Sequence, residues 1–266
     1  MSDSQQLVTN DSHERVQPDD EIVIALKDVH LSFTKDREIL SGVDFIVRRG
    51  ETKVVLGGSG EGKSTILRLA LGLIRPNRGS IKIFGEEISQ MSEADLKPIR
   101  HRIGMVFQAG ALFDSMTVAE NVAFCTTETH GLTLEQAEPL VRQRLEYVGL
   151  SDAYDLMPAE LSGGMTKRAA IARAMVCSPE VILFDEPTTG IDPIGVRRLL
   201  RLISRLHDDF RVTSIVVTHI LSDAKQIADS VAVLREGRIV FDGSFAELMA
   251  SPDPFIREFI AQQEGL

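Results

Sequence analysis

The chain has 266 residues, with 39 acidic against 29 basic side chains, a formal charge of -10, 43% hydrophobic positions and 5% aromatic ones. That apolar fraction excludes intrinsic disorder, and the length fits one large core or two small ones at roughly 100–200 residues per domain. The acidic balance argues against a general nucleic-acid binder, whose phosphate contacts need clustered Lys and Arg.

No apolar run approaches the ~18 residues that cross a bilayer, and the first twenty residues hold neither a basic leader nor an apolar signal core, so a cytosolic location is expected. Cys125 and Cys177 are the two thiols. They lack C-x-x-C spacing, and both are expected to be free, small core residues in a reducing compartment.

Residues 1–21 are rich in Ser, Asp, Gln and Asn, and a flexible tail is expected there. Short β-rich runs follow at 22–26, 43–47, 52–56 and 80–83, with an antiparallel flavour. The run 53–56 meets a glycine cluster and continues at 64–73 with apolar residues at helical spacing. From about 89 to 179 the composition turns helical, most clearly at 134–148 and 164–176, which reads as an inserted helical lobe. Then βα alternation returns: strand 181–184, helix 194–208, strand 214–217, helix 222–228. Runs 230–234 and 238–241 around Glu236-Gly237 read as a hairpin. Strands alternating with helices predict a parallel sheet covered on both faces.

Gly57, Gly58, Ser59, Gly60, Glu61, Gly62, Lys63 and Ser64 fit G-x-x-x-x-G-K-[ST] where a strand becomes a helix, and Thr65 follows. Glycines let successive N–H groups converge on an anion at a positive helix end, making this a nucleotide phosphate site. Lys63 is the candidate for the β and γ phosphates and Ser64 for magnesium. The buried-strand run Val181-Ile182-Leu183-Phe184 ends in Asp185-Glu186, which predicts Asp185 as a direct or water-mediated magnesium anchor and Glu186 as the general base toward the attacking water. Glu61 places a carboxylate in a phosphate loop and is expected to point into solvent.

Four further motifs are Phe107-Gln108, Leu161-Ser162-Gly163-Gly164 opening a helix, Gly190-Ile191-Asp192-Pro193, and Thr218-His219. With these, residues 22 to about 248 resemble the nucleotide-binding subunit of ABC transporters. The resemblance implies an α/β fold: a P-loop NTPase core with a parallel sheet, an antiparallel β subdomain, and a helical subdomain inserted at about 109–178. It leaves 249–266 as a C-terminal tail. It also implies ATP and Mg²⁺ as ligands and a homodimer sandwiching two ATP molecules. Ser162, Gly163 and Gly164 would then bind the γ-phosphate held by the twin. Gln108 would sense magnesium and the attacking water, Asp192 would belong to the D-loop, His219 would be the switch histidine, and Phe33 would stack on adenine. Met165 stands where the family usually has Gln after the signature glycines, and Gly190-Ile191 replaces a more usual small pair.

The stretch Gln108-Ala109-Gly110-Ala111-Leu112-Phe113-Asp114-Ser115-Met116-Thr117-Val118, the sequence Leu-Ser-Gly-Gly-Met-Thr-Lys-Arg at 161–168 and the segment 251–259 are similar to the ATPases of Mla/Mce lipid-transport systems. This implies phospholipid transport between membranes through a permease and an Mce-domain lipid-binding protein, with a small regulatory subunit as a further partner. The place of action would be the cytoplasmic face of the inner membrane. Ala111, Leu112, Phe113 and Met116 are the candidate dock for a permease helix, with helical-lobe packing as the alternative. Amino-acid import, lipoprotein release and a soluble ABC ATPase are the rival functions. The single cassette and the absence of heptads between Lys63 and Ser162 weigh against the last.

Overall fold

The computed structural model describes residues 21–34 and 37–264. The tail expected over 1–21 lies outside them except for Glu21, whose carboxylate pairs with Arg49 at 2.6 Å.

Strands β1 (Ile22–Thr34), β2 (Arg37–Arg48), β4 (Arg78–Ile83) and β5 (Glu86–Glu87) form an antiparallel sheet in the order β2-β1-β4-β5. β1 is far longer than the run 22–26 suggests, because it passes through Asp28, at φ 48, with register shifts on both partners. Such a bulge keeps a strand going while hiding its period-2 pattern.

Between these strands lie β3 (Thr52–Leu56) and helix α1 (Lys63–Ala70). Next come α2 (Glu93–Arg100) and β6 (Ile103–Val106), then the helical lobe of α3 (Val118–His130), α4 (Leu134–Tyr147) and α5 (Gly163–Met175). The chain continues through β7 (Val181–Asp185), α6 (Pro193–Phe210), β8 (Thr213–Thr218), α7 (Leu221–Ile227), β9 (Ser230–Arg235), β10 (Arg238–Gly243), α8 (Phe245–Met249) and α9 (Pro254–Glu264).

The second sheet runs β10-β9-β3-β8-β7-β6, parallel throughout except for the β9/β10 hairpin. β3 and β8 are buried at every residue, as strands covered on both faces must be. Their side chains alternate between two cores. Val54 and Leu56 join the helical-lobe side, whereas Val55 packs with α1 and the antiparallel sheet.

Helix starts follow local chemistry. Thr117/Glu120, Thr133/Gln136 and Ser244/Glu247 form capping boxes at α3, α4 and α8, and Asp192 followed by Pro193 opens α6. The segment expected as a tail after 248 holds α9, which buries Ile256 and Ile260 one turn apart. Among the described residues no helix is long and apolar enough to cross a membrane.

The thiols depart from expectation. Cys125 of α3 and Cys177, just past α5, form a disulfide with Cα atoms 6.4 Å apart, and both are partly buried against the helical-lobe core. Fifty-two residues of sequence separation hide a contact that only the packing of α3 on α5 creates.

Candidate active site

The site forms where β3, β7 and β8 end, on the edge toward which parallel strands carry their loops. Gly57 follows β3 so closely beside β9 that a Cβ there would sit 2.6 Å from the Leu234 carbonyl oxygen. Gly62 takes φ 101 at the entry to α1, a left-handed conformation suited to glycine. The loop therefore curls around Lys63, whose Nζ donates to the carbonyls of Gly57 (3.0 Å) and Gly58 (2.8 Å) and lies 3.7 Å from Glu186 Oε1. Burial pushes the Lys63 ammonium below its ordinary pKa, against the pull of Glu186.

Neighbouring strands bring the other groups in. Ser64 Oγ donates to Asp185 Oδ1 at 2.7 Å, so the first helical turn is tied to the end of β7. Glu186 has φ 43, and its N–H reaches the Val217 carbonyl of β8 at 2.9 Å. This is left-handed backbone in a non-glycine residue, a costly geometry that surrounding contacts must hold. Its Oε2 accepts the Thr189 hydroxyl (3.1 Å) and lies 3.4 Å from His219 Nδ1. A cavity of about 500 Å³ opens here, walled by Gly58, Ser59, Glu186 and His219 and by Phe255, Phe259 and Gln262 of α9.

Lys63, Ser64, Asp185, Glu186 and His219 are thus linked by direct contacts, while the other predicted residues make different ones. Ser162 caps α5 through Oγ, accepting the Met165 N–H at 3.3 Å, and Ser162 and Gly163 are exposed with Gly164 half-buried beside them. Asp192 caps α6 by accepting the Ile194 and Gly195 N–H groups, both at 2.9 Å, and these bonds, that of Gly195 foremost, lower its pKa. Gln108 is exposed, and its carbonyl, rather than its amide group, is engaged, by Lys167. Phe33 is 60% exposed on β1, not a core residue. Thr65 is buried on α1. Gly60 takes φ 82 in the exposed part of the loop beside exposed Ser59.

One expectation at this loop is corrected. Glu61 is half-buried and accepts the Glu236 backbone N–H, which fastens the phosphate loop to the β9/β10 turn instead of leaving the carboxylate in solvent. Three participants were not legible beforehand. Thr189 carries no motif of its own, Lys167 sits in the stretch 161–168 with no role assigned to it, and α9 falls in the segment expected as a tail although Asp253-Pro254 is a helix-start signature: Asp253 Oδ1 accepts the Phe255 (2.8 Å) and Ile256 (3.2 Å) N–H groups.

The ABC transporter family profile matches residues 40–189 of this chain, spanning the phosphate loop, the signature helix and Glu186. The chain belongs to the ABC transporter family. It is 43% identical over 239 residues to the intermembrane phospholipid transport system ATP-binding protein MlaF of Escherichia coli K12, covering 90% of this chain and 88% of that protein. It is also 39% identical to its namesake in Haemophilus influenzae, covering 87% and 88%. Among solved structures, a dimeric ATP-binding cassette bound to ADP and Pi matches with a TM-score of 0.77 at 28% identity, covering 84% of this chain and 98% of that one. The protein is therefore an ATP-hydrolysing ABC cassette of mixed α/β fold, and the glycine loop around Lys63 lies within the residues that the family profile matches.

Proposed function

We propose that this ABC cassette powers phospholipid transport between membranes, acting as a homodimer on an integral membrane permease and an Mce-domain lipid-binding partner at the cytoplasmic face of the inner membrane. The contacts that join Lys63 and His219 to Glu186 and Ser64 to Asp185, with Glu186 and His219 lining one cavity, carry the catalytic part of this reading. The cargo is supported by coverage. The chain spans 88% of MlaF, but 55% of the methionine import ATP-binding protein MetN of Bifidobacterium longum, which is 39% identical over the shared part.

The proposed roles draw on the contacts described and on the family resemblance. Lys63 leaves the Gly57 and Gly58 carbonyls to take the β and γ phosphates, which settle at the positive end of α1. Ser64 and Asp185, whose oxygens already lie 2.7 Å apart, are hard donors of the kind magnesium takes, with Gln108 as a further oxygen ligand; bound there, magnesium would neutralise phosphate charge. Glu186, steadied by Thr189 and facing His219, takes the proton of the attacking water. His219 donates to the γ-phosphate, and Phe33 offers an exposed ring to adenine. Ser162, Gly163 and Gly164 of the twin close over the γ-phosphate, and Asp192 lines the same interface.

Phe113 is 42% exposed, rests on Phe124 with ring centroids 4.7 Å apart, and is the proposed contact for the permease.

The test uses the full chain and its membrane partners. Glu186→Gln is expected to lower ATP turnover more than about 100-fold and to accumulate an ATP-bound dimer, read by light scattering, while Lys63→Ala abolishes nucleotide binding. In vesicles carrying the co-purified complex, ATP should drive transfer of fluorescent phospholipid, and Glu186→Gln should stop it. Normal turnover by Glu186→Gln would refute the base assignment; methionine-stimulated turnover without lipid transfer would refute the cargo.

A further inference from the structure

Lys167 lies one turn into the signature helix α5 and is 5% exposed. Among the described residues no carboxylate lies within ion-pair distance of its ammonium, although burial, which lowers its pKa, is opposed through space by Asp185 and Glu186. Instead it donates to two backbone carbonyls from different parts of the site, those of Gln108 and, at 3.5 Å, Glu186. A buried ammonium is costly, and packing alone would be served better by an apolar side chain, so its presence points to a use for the bonds it makes.

The surroundings specify that use. The segment after Gln108 lies flush on α5: a Cβ on Gly110 would stand 2.8 Å from Thr166 Cγ2. Arg173, further along the helix, donates to the carbonyls of Ala111 (2.7 Å) and Gly110 (2.9 Å). Thus α5 grips the 108–111 backbone from two side chains, but only Lys167 also reaches the residue after β7, where Glu186 holds its left-handed backbone.

We infer that Lys167 is a positioning residue for hydrolysis: one buried ammonium couples the backbone at Gln108 to that at Glu186, so that displacement of the exposed segment around Phe113 or of the signature helix is felt at the base. The inference rests on Glu186 being that base.

The experiment compares the full chain with Lys167→Met, Lys167→Arg and Arg173→Met, reading steady-state ATP turnover, binding of trinitrophenyl-ATP and amide hydrogen exchange. In Lys167→Met, kcat should fall at least tenfold while KM and analogue affinity stay within twofold, and Lys167→Arg should recover most of the loss. Exchange should rise together at 107–111 and 186–189 in Lys167→Met, but only at 107–111 in Arg173→Met. Turnover by Lys167→Met within twofold of the parent would overturn the inference. So would a parallel loss of binding and turnover that Arg does not rescue, or exchange at 186–189 unchanged from the parent. Glu186→Gln assayed alongside separates the two readings: its normal turnover would remove the base assignment, while the exchange data still report whether Lys167 holds both segments.

Discussion

Asn121, fully buried on α3, makes four hydrogen bonds to one short loop. The two hydrogens of its Nδ2 are shared among the carbonyls of Phe113 (3.1 Å), Met116 (3.1 Å) and Thr117 (3.0 Å), and its Oδ1 accepts the Phe113 N–H at 2.7 Å. Replacing it with Ala does not orphan all four groups. The Phe113 carbonyl keeps the Met116 N–H, and the Thr117 carbonyl keeps the N–H of residue 121. The Phe113 N–H and the Met116 carbonyl lose their described partners, at about 1–3 kcal/mol each for a group left without a bond. Phe113 is exposed and Met116 half-buried, so water repays part of this, and Asn121→Ala is expected to cost about 2–4 kcal/mol in all. At about 2–4 °C per kcal/mol for a chain near this size, the melting temperature should fall by about 4–16 °C. Asn121→Asp should be worse than Ala, since it keeps the size but turns a carboxylate oxygen toward three carbonyls. Urea titration followed by far-UV circular dichroism reads both. A loss below about 1 kcal/mol for Ala, or Asp more stable than Ala, would refute the clamp, because both numbers follow from the same four bonds.

Opening the Cys125–Cys177 bond with a reductant, or by Cys125→Ser, should cost about 2–4 kcal/mol from the loop of 52 residues that it closes, and an unchanged urea midpoint would refute it. Arg144, buried on α4, gives one 3.3 Å bond to Ser178 Oγ and leaves Nε without a partner, and its burial lowers its pKa. Arg144→Met should therefore leave stability unchanged or raise it by about 1 kcal/mol, and a loss beyond about 2 kcal/mol in the same titration would count against the reading. His30 bonds Glu38 (2.8 Å) and Asp28 (3.1 Å), and the Glu38 bond foremost raises its pKa above 6.5, while the same bonds lower both carboxylates. A raised pKa means that the increment is complete below pH 6.5 and lost as pH climbs through the folded value, with Arg78 and Arg238 as the neighbouring cations. Stability should fall from pH 6 to 8 in the parent more than in His30→Gln; equal slopes would refute it.

The glycine loop and the acid pair were legible because their constraints are local. A glycine loop must sit between a strand and a helix, so Gly57 to Ser64 announce themselves, and an apolar run ending in two acids announces Asp185 and Glu186. What stayed hidden was set by packing across the chain. β6 offers only Ile-Gly-Met-Val, too short to show a period, and becomes a strand because β7 lies beside it. The Cys125–Cys177 bond and the two carbonyls under Lys167 are contacts that spacing cannot encode. Glu61 failed for a related reason: like charge near phosphate argues for solvent, but the Glu236 N–H across the fold outbids water for that carboxylate.

The same packing bears on how the proposed dimer would work. Ser162 and Gly163 are exposed, and their own chain uses the Ser162 hydroxyl only to cap α5. They stand beside the D-loop: a Cβ on Gly163 would meet the Gly190 carbonyl oxygen and Ile191 Cγ2, each at 3.5 Å. That loop follows Thr189, which bonds the Glu186 carboxylate through its hydroxyl (3.1 Å) and the Glu186 carbonyl through its N–H (3.3 Å). In the proposed dimer, the patch that completes the twin's site is therefore joined by short contacts to the subunit's own base. A twin that seats poorly on Gly163 would disturb Gly190 and Ile191, and through Thr189 the carboxylate that handles water. Two sites built this way would respond to each other with no link beyond the interface itself.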